Sequence, residues 1–158
     1  MGSMTHLTLP YPISANRYWA TRVIKLKGTN KHRAMTYVTP EAEDYRRAVG
    51  AIASAAGLNG ATPGRVLLHV QLYPNRPQDW AKRARKEPYT WDDTVMCIDL
   101  GNCEKVLSDA LNGIAWADDK QIRRIVLERM EPDDKGARLE VAIEYLAAAP
   151  SLFSEAAA

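Results

Sequence analysis

Cysteine, histidine and phenylalanine are scarce in this chain: two, three and one among 158 residues. Cys97 and Cys103 stand at a spacing that fits no zinc pattern, and three scattered histidines add too few soft ligands for a structural metal site. A disulfide framework is excluded by the same count, and the two thiols are expected to stay reduced as small apolar fillers. Long apolar runs are also missing. Val49–Gly64 is among the longest stretches without a charge, but it holds too much Ala and Gly to span a bilayer, so no membrane association is expected. No basic-then-apolar leader precedes the first strand-like segment, so secretion is not expected. A Gly-rich phosphate loop and a nucleophile elbow are absent as well, so neither pattern supports a small-molecule enzyme that uses the carboxylates.

What is present is an uneven distribution of charge. The formal net charge is +2, yet residues 1–90 carry 14 Lys/Arg against 5 Asp/Glu, and residues 91–158 carry 7 against 14. Joined in one domain, a basic half and an acidic half suit a metal-dependent enzyme acting on a polyanion, with cations for phosphates and carboxylates for a metal. Uneven surface charge alone would give the same arithmetic.

Met1-Gly2-Ser3 before a second Met reads as an expression scar, residues 4–146 as one domain, and residues 147–158 as an Ala-rich tail. His6–Leu9 reads as an opening strand closed by Pro10 and Pro12. Two β-prone stretches, Arg22–Leu26 and Ala34–Val38, flank the turn Gly28–Asn30 and suggest a basic hairpin or mobile loop with Arg17 at its approach and Lys25, Lys27, Lys31 and Arg33 around it. Thr39-Pro40-Glu41 is a helix start, with a hydroxyl cap, proline at the first position and acid near the positive end of the dipole. Apolar residues then recur at helical spacing from Ala42 to Ala56, and Gly57 and Gly60 end the run. Arg65–Tyr73 alternates as a strand, Asn102–Asn112 carries a helical apolar stripe, and Ile122–Met130 and Ala137–Leu146 alternate as strands joined by Pro132–Gly136. The order suggests an α+β fold: a small mixed sheet with two main helices packed on it.

Between Pro74 and Met96 no period survives. Lys82, Arg83, Arg85 and Lys86 stand there with Trp80, Tyr89 and Trp91. Cations interleaved with aromatic rings suit a flexible nucleic-acid arm, although a solvated loop with two Trp tucked onto the core would read alike.

Acids cluster at Asp99, with Asp92, Asp93 and Glu104 nearby, and at Asp118-Asp119. Convergent carboxylates favour a hard divalent cation, which can polarise a phosphodiester and lower the pKa of a bound water. Lys105 lies early in the second helix, where its charge opposes the dipole; it could face a phosphate there or pair with Asp109 one turn on.

Four stretches, in order, resemble the RusA-type Holliday-junction resolvases of phages and prophages. Leu7-Thr-Leu-Pro-Tyr-Pro-Ile-Ser-Ala-Asn-Arg-Tyr18 resembles that family's opening segment, and Thr39–Tyr45 its first helix start. Asp99-Leu-Gly-Asn-Cys-Glu-Lys105 with Asp109-Ala-Leu-Asn112 resembles D-x-D-N-x-x-K followed by D-A-L. Trp116-Ala-Asp-Asp-Lys-Gln-Ile122 resembles DD-x-Q-V. The resemblance covers roughly residues 6–146 with one long insertion, 74–96. It implies a homodimeric, Mg²⁺-dependent endonuclease, with Mn²⁺ able to substitute, that resolves four-way DNA junctions by paired symmetric nicks in the cytoplasm of a bacterial host. It further implies Asp99 and Asp119 as metal ligands, Lys105 as the catalytic lysine and Asp118 as an adjacent helper. One position departs: Gly101 stands where the family has its second Asp. Glu104, one turn on, or Asp93 from the loop are the residues that could replace it. A junction binder that no longer cuts is the competing expectation.

Overall fold

The computed structural model describes residues 2–60 and 62–147; the expected C-terminal tail lies outside them except for its first residue. Four strands form one mixed sheet in the order β1 (Ser3–Pro10), β6 (Arg138–Leu146), β4 (Arg65–Tyr73), β5 (Ile122–Arg129). β6 is antiparallel to both neighbours, whereas β4 and β5 run parallel. The turn Pro132–Gly136 therefore joins strands that are not neighbours. Eight residues separate β5 from β6, enough to carry the chain past β4. Buried Arg138 fixes this connection. Its guanidinium donates twice to Asp133 at 2.8 Å and once to Glu140 at 2.7 Å, which holds the Asp133 carboxyl down at about 2.

Alternation decides which face is buried. Leu7 and Leu9 of β1, Val66, Leu68, Val70 and Leu72 of β4, and Leu139, Val141, Ile143 and Tyr145 of β6 all point to one side. Two helices cover that side: α2 (Pro40–Ala55), through Ala42, Tyr45, Val49 and Ala53, and α4 (Leu100–Leu111), through Cys103, Val106, Leu107, Ala110 and Leu111. This is the α+β arrangement that the element order implied. The Thr39 hydroxyl caps α2 by accepting from the Ala42 N–H, and Pro40 follows at the first position. The two cysteines are free, and burial pushes the Cys103 thiol up to about 12, consistent with a filler role. Among the described residues no helix is long and apolar enough to cross a membrane.

The expected hairpin forms a separate two-stranded sheet, β2 (Trp19–Lys25) with β3 (His32–Val38). A single helical turn, α1 (Ala15–Tyr18), precedes it. The stretch 74–96 departs from the expectation. It is not an irregular arm: it contains a helix, α3 (Trp80–Lys86), and is docked on the domain. Ala, Lys and Arg favour helix, and the Arg83 guanidinium donates to Asp79 at 2.9 Å and Thr94 at 3.2 Å. The Trp91 ring is buried and its N–H donates to Glu131, while Arg129 donates to the carbonyls of Asp92 and Val95. Cations with no run of apolar spacing hid this short helix from sequence reading.

One close approach locks the site side of the fold. Gly60, at φ 74°, donates its N–H to the Ile114 carbonyl at 2.6 Å and lies so near Gly113 that a Cβ would collide with the Gly113 carbonyl. Backbone on both sides of the clash cannot retreat cheaply. Gly60→Ala should therefore lose more than about 1 kcal/mol of stability, read as a lower urea midpoint with an unchanged slope.

Candidate active site

The loop-to-helix junction before α4, where a strand-to-helix junction was expected, places Asp99. Its backbone is extended, and its carboxylate accepts from the Asn102 N–H at 2.8 Å and from the Asn102 side-chain amide at 2.7 Å, a regular helix cap. The Tyr11 hydroxyl accepts from the neighbouring Ile98 N–H at 2.7 Å and holds the approach to this cap. Gly101 lies in the first turn without positive φ, and a Cβ there would stand 3.6 Å from an Asp99 carboxylate oxygen. The family's second Asp would thus sit beside Asp99 with ordinary room. Glycine at 101 is not demanded by the backbone.

One turn further, Glu104 and Lys105 are exposed on the rim of a cleft of about 520 Å³. Trp19, Ser108, Asp109, Asp119, Ile122 and Ile125 complete its lining. The cleft lies between α4 and the first half of β5, because α4 runs back along β5 before the chain turns. Asp119 is held by the buried Trp116, whose ring N–H donates to it at 2.8 Å. Asp118 faces a different task. Its carboxylate caps the short 3₁₀ turn Asp119–Gln121 by accepting from the Lys120 N–H, while its own N–H donates to the Gln121 side chain.

Asp109 does not pair with Lys105. It accepts from the Tyr18 hydroxyl and faces the Arg46 guanidinium at 3.7 Å. Tyr18 is fully buried, and burial together with Asp109 pushes its hydroxyl far above the usual phenol range. Lys105 makes no ion pair among the described residues, so its charge is available to the cleft.

The site residues expected from sequence are therefore only partly brought together. Glu104, Lys105 and Asp119 share one cleft; Asp99 caps the helix a turn earlier, and Asp118 is engaged in the turn. Among the described residues no three His, Cys, Asp or Glu are grouped to hold a metal ion. Sequence reading passed over Trp116, Gln121 and Tyr18 as positioning groups, although all three stand inside the stretches that carry the resemblance.

The cationic residues fall into two sets. Lys25, Lys27, Lys31 and Arg33 are exposed on the β2–β3 hairpin, while Arg17 at its root pairs with Glu41. Lys82, Arg85 and Lys86 are exposed on α3, whereas Arg83 is spent on Asp79 and Thr94.

A mixed sheet with helices on one face, a cleft between α4 and β5 that holds carboxylates and a lysine, and two exposed cationic extensions define an α+β protein with the groups of a nuclease. Residues 10–144 match the family Endodeoxyribonuclease RusA. The chain belongs to that family, and it is an endodeoxyribonuclease. It is also 29% identical over 140 residues to a protein of Enterobacteria phage 82 named crossover junction endodeoxyribonuclease rusA, covering 87% of this chain and 92% of the phage protein.

Because position 101 has room, Gly101→Asp should fold normally. Acid in a first helical turn and the poor helix propensity of glycine favour the change, and repulsion from Asp99 opposes it. The urea midpoint should move by no more than about 0.5 kcal/mol equivalent; a loss above about 1 kcal/mol would mean that two carboxylates cannot share this turn.

Proposed function

We propose that this endodeoxyribonuclease resolves four-way DNA junctions by paired, symmetric nicks, working as a homodimer with Mg²⁺. The observation that supports the reading best is the cleft in which Lys105, without an ion pair among the described residues, stands beside Glu104 and Asp119, on a chain of the endodeoxyribonuclease RusA family whose phage relative is named a crossover junction endodeoxyribonuclease. Two nicks related by symmetry call for two sites related by a two-fold axis, which an isologous dimer supplies. Branched DNA would lie across the exposed cations of the hairpin and of α3.

The donor set suits a hard cation. Magnesium takes one or two carboxylates and completes its shell with water and phosphate oxygen, so an enclosing cage of three acids is not required. Asp119 and Glu104 would hold it, with Asp99 contributing through the lone pairs that Asn102 leaves open. When bound, the ion supplies an activated water and a polarised phosphoryl oxygen. Trp116 keeps Asp119 in one orientation, and Asp118 keeps the 3₁₀ turn closed. Lys105 places positive charge where negative charge develops on the phosphoryl group. Glu104 takes the part left vacant by Gly101.

A labelled four-way junction, incubated with and without Mg²⁺, tests the reading. The unaltered protein should cut it only with the metal, and Mn²⁺ should substitute. Asp119→Asn and Lys105→Ala should each lower the cutting rate at least a hundredfold, about 2.7 kcal/mol of transition-state stabilisation, while still shifting the junction. Glu104→Gln should be nearly as damaging, with partial rescue by Gly101→Asp. A shift without cutting by the unaltered protein would favour the competing reading, a branched-DNA binder with a degraded site, to which the missing acid at 101 lends its support.

Neutralising Lys82, Arg85 and Lys86 together should weaken binding to every DNA sequence and flatten its salt dependence, by roughly 0.9 in slope for each phosphate no longer neutralised. An unchanged slope would mean that α3 does not touch DNA. Arg83 is left out of this set because its removal would unfasten the helix.

A further inference from the structure

The docked insertion creates a groove that is separate from the cleft beside Lys105. It encloses about 530 Å³ and is lined by Tyr11, Asn75, Pro77, Val95, Met96 and Ala137, with Arg83 and Thr94 at the α3 side. Its exposed walls are mainly apolar, and Asn75, Arg83 and Thr94 add polar groups, a composition that suits a flat organic group. Two hydrogen bonds brace the walls. Arg83 ties α3 to Thr94, and Arg129 holds the Val95 carbonyl at 2.9 Å. Met96 is 94% exposed although it borders this groove, so an apolar side chain is held out where intramolecular packing does not use it.

Two observations identify the occupant. The first is position: Met96 is three residues before Asp99, and Tyr11, on the groove wall, accepts the Ile98 N–H next to Asp99. The second is charge. The stretch from Arg76 to Lys86 carries five cations against Asp79 alone, and Lys82, Arg85 and Lys86 are exposed, so the surroundings suit a polyanion rather than an uncharged ligand. We propose that this groove takes one unstacked nucleotide of the DNA strand, next to the phosphate to be cut, and that the Asn75 amide reads the edge of its base. The inference rests on the nuclease reading above and adds to it a source of sequence preference. Tyr11, Pro77 and Met96 supply the apolar surface against which a base loses less by leaving the stack. An amide presents a donor and an acceptor together, which lets it distinguish base edges.

The test uses the full chain and a set of four-way junctions that differ only in the base at each position within two nucleotides of the mapped cut. The unaltered protein should cut about tenfold faster or more with one base at one of these positions. Asn75→Ala should reduce that preference below about twofold, with junction affinity changed by less than twofold. Replacing the preferred nucleotide by an abasic one should slow the unaltered protein to the level of Asn75→Ala and slow the variant no further, as expected when residue and base form one interaction. Ala137→Phe, at an exposed position on the groove wall, should lower cutting at least tenfold without altering the thermal midpoint. Retention of the full preference by Asn75→Ala, or independent losses from the abasic site and the variant, would overturn the groove while leaving the nuclease reading standing. An unaltered protein that cuts no junction removes both.

Discussion

The Gln121 side chain is the hinge-pin on which the site depends. Its carbonyl accepts from the N–H groups of Ala117 and Asp118, and its amide donates to the carbonyls of Thr62 and Gly64, at 2.8–3.1 Å. One residue thereby satisfies four backbone groups from two segments far apart in sequence. It ties the turn after α4 to the chain entering β4, and so brings the first half of β5 against α4. Trp116 and Asp119 both lie in the turn so held, and the cleft with Lys105 opens between α4 and β5 on either side of it. Leaving even one of these groups unsatisfied costs about 1–3 kcal/mol where it is buried, so the loop cannot drift without a large penalty.

The periodic elements were legible because they obey one rule each. Alternation marked β4 and β6, and helical spacing with a Thr-Pro-Glu start marked α2 almost to the residue. Strand order was not legible. Nothing in the turn Pro132–Gly136 says that β4 will lie between the strands it joins; that follows from where the crossover between β4 and β5 leaves room. β1 was under-read for a similar reason. It begins at Ser3, since pairing with β6 up to Tyr145 recruits residues whose own pattern is too short to declare a strand. The helix in the insertion escaped because it is held by the Arg83–Asp79 ion pair and by the buried Trp91 that follows it rather than by an apolar stripe.

At the site, the residue types were legible but their partition was not. Asp99, Glu104, Asp118 and Asp119 look equivalent as letters. In space they divide by what their carboxylates already do: Asp99 and Asp118 cap turns, Asp119 is aimed by Trp116, and Glu104 is open to the cleft. A helix cap and a metal ligand are compatible, since a carboxylate has lone pairs for both, but the cap fixes the direction of the remaining ones. Gly101 deepens this division. With Asp at that position, two carboxylates would stand in one helical turn, and their repulsion would be relieved by a cation. With Gly, that turn is electrostatically relaxed, and the acids that share the neighbouring cleft are Glu104 of α4 and Asp119 of the 3₁₀ turn, with Asp109 engaged by Tyr18.

Asp109 shows how the cationic hairpin and the cleft form one unit. The buried Tyr18 hydroxyl donates to Asp109, a turn beyond Lys105, and the Tyr18 carbonyl accepts the Thr39 N–H at the far side of the hairpin root. The Thr39 hydroxyl donates to the Arg17 carbonyl at 2.7 Å, so both ends of β2–β3 are clamped beside α4. A two-stranded ribbon is marginal by itself in water. Here its outer half carries Lys25, Lys27, Lys31 and Arg33 free of packing, while its root is fixed to the helix that carries Lys105. The clamps made by Tyr18 and Thr39 thereby hold the root of the ribbon at a set distance from Lys105, and that spacing comes from the hydrogen bonds at the root rather than from any single cation.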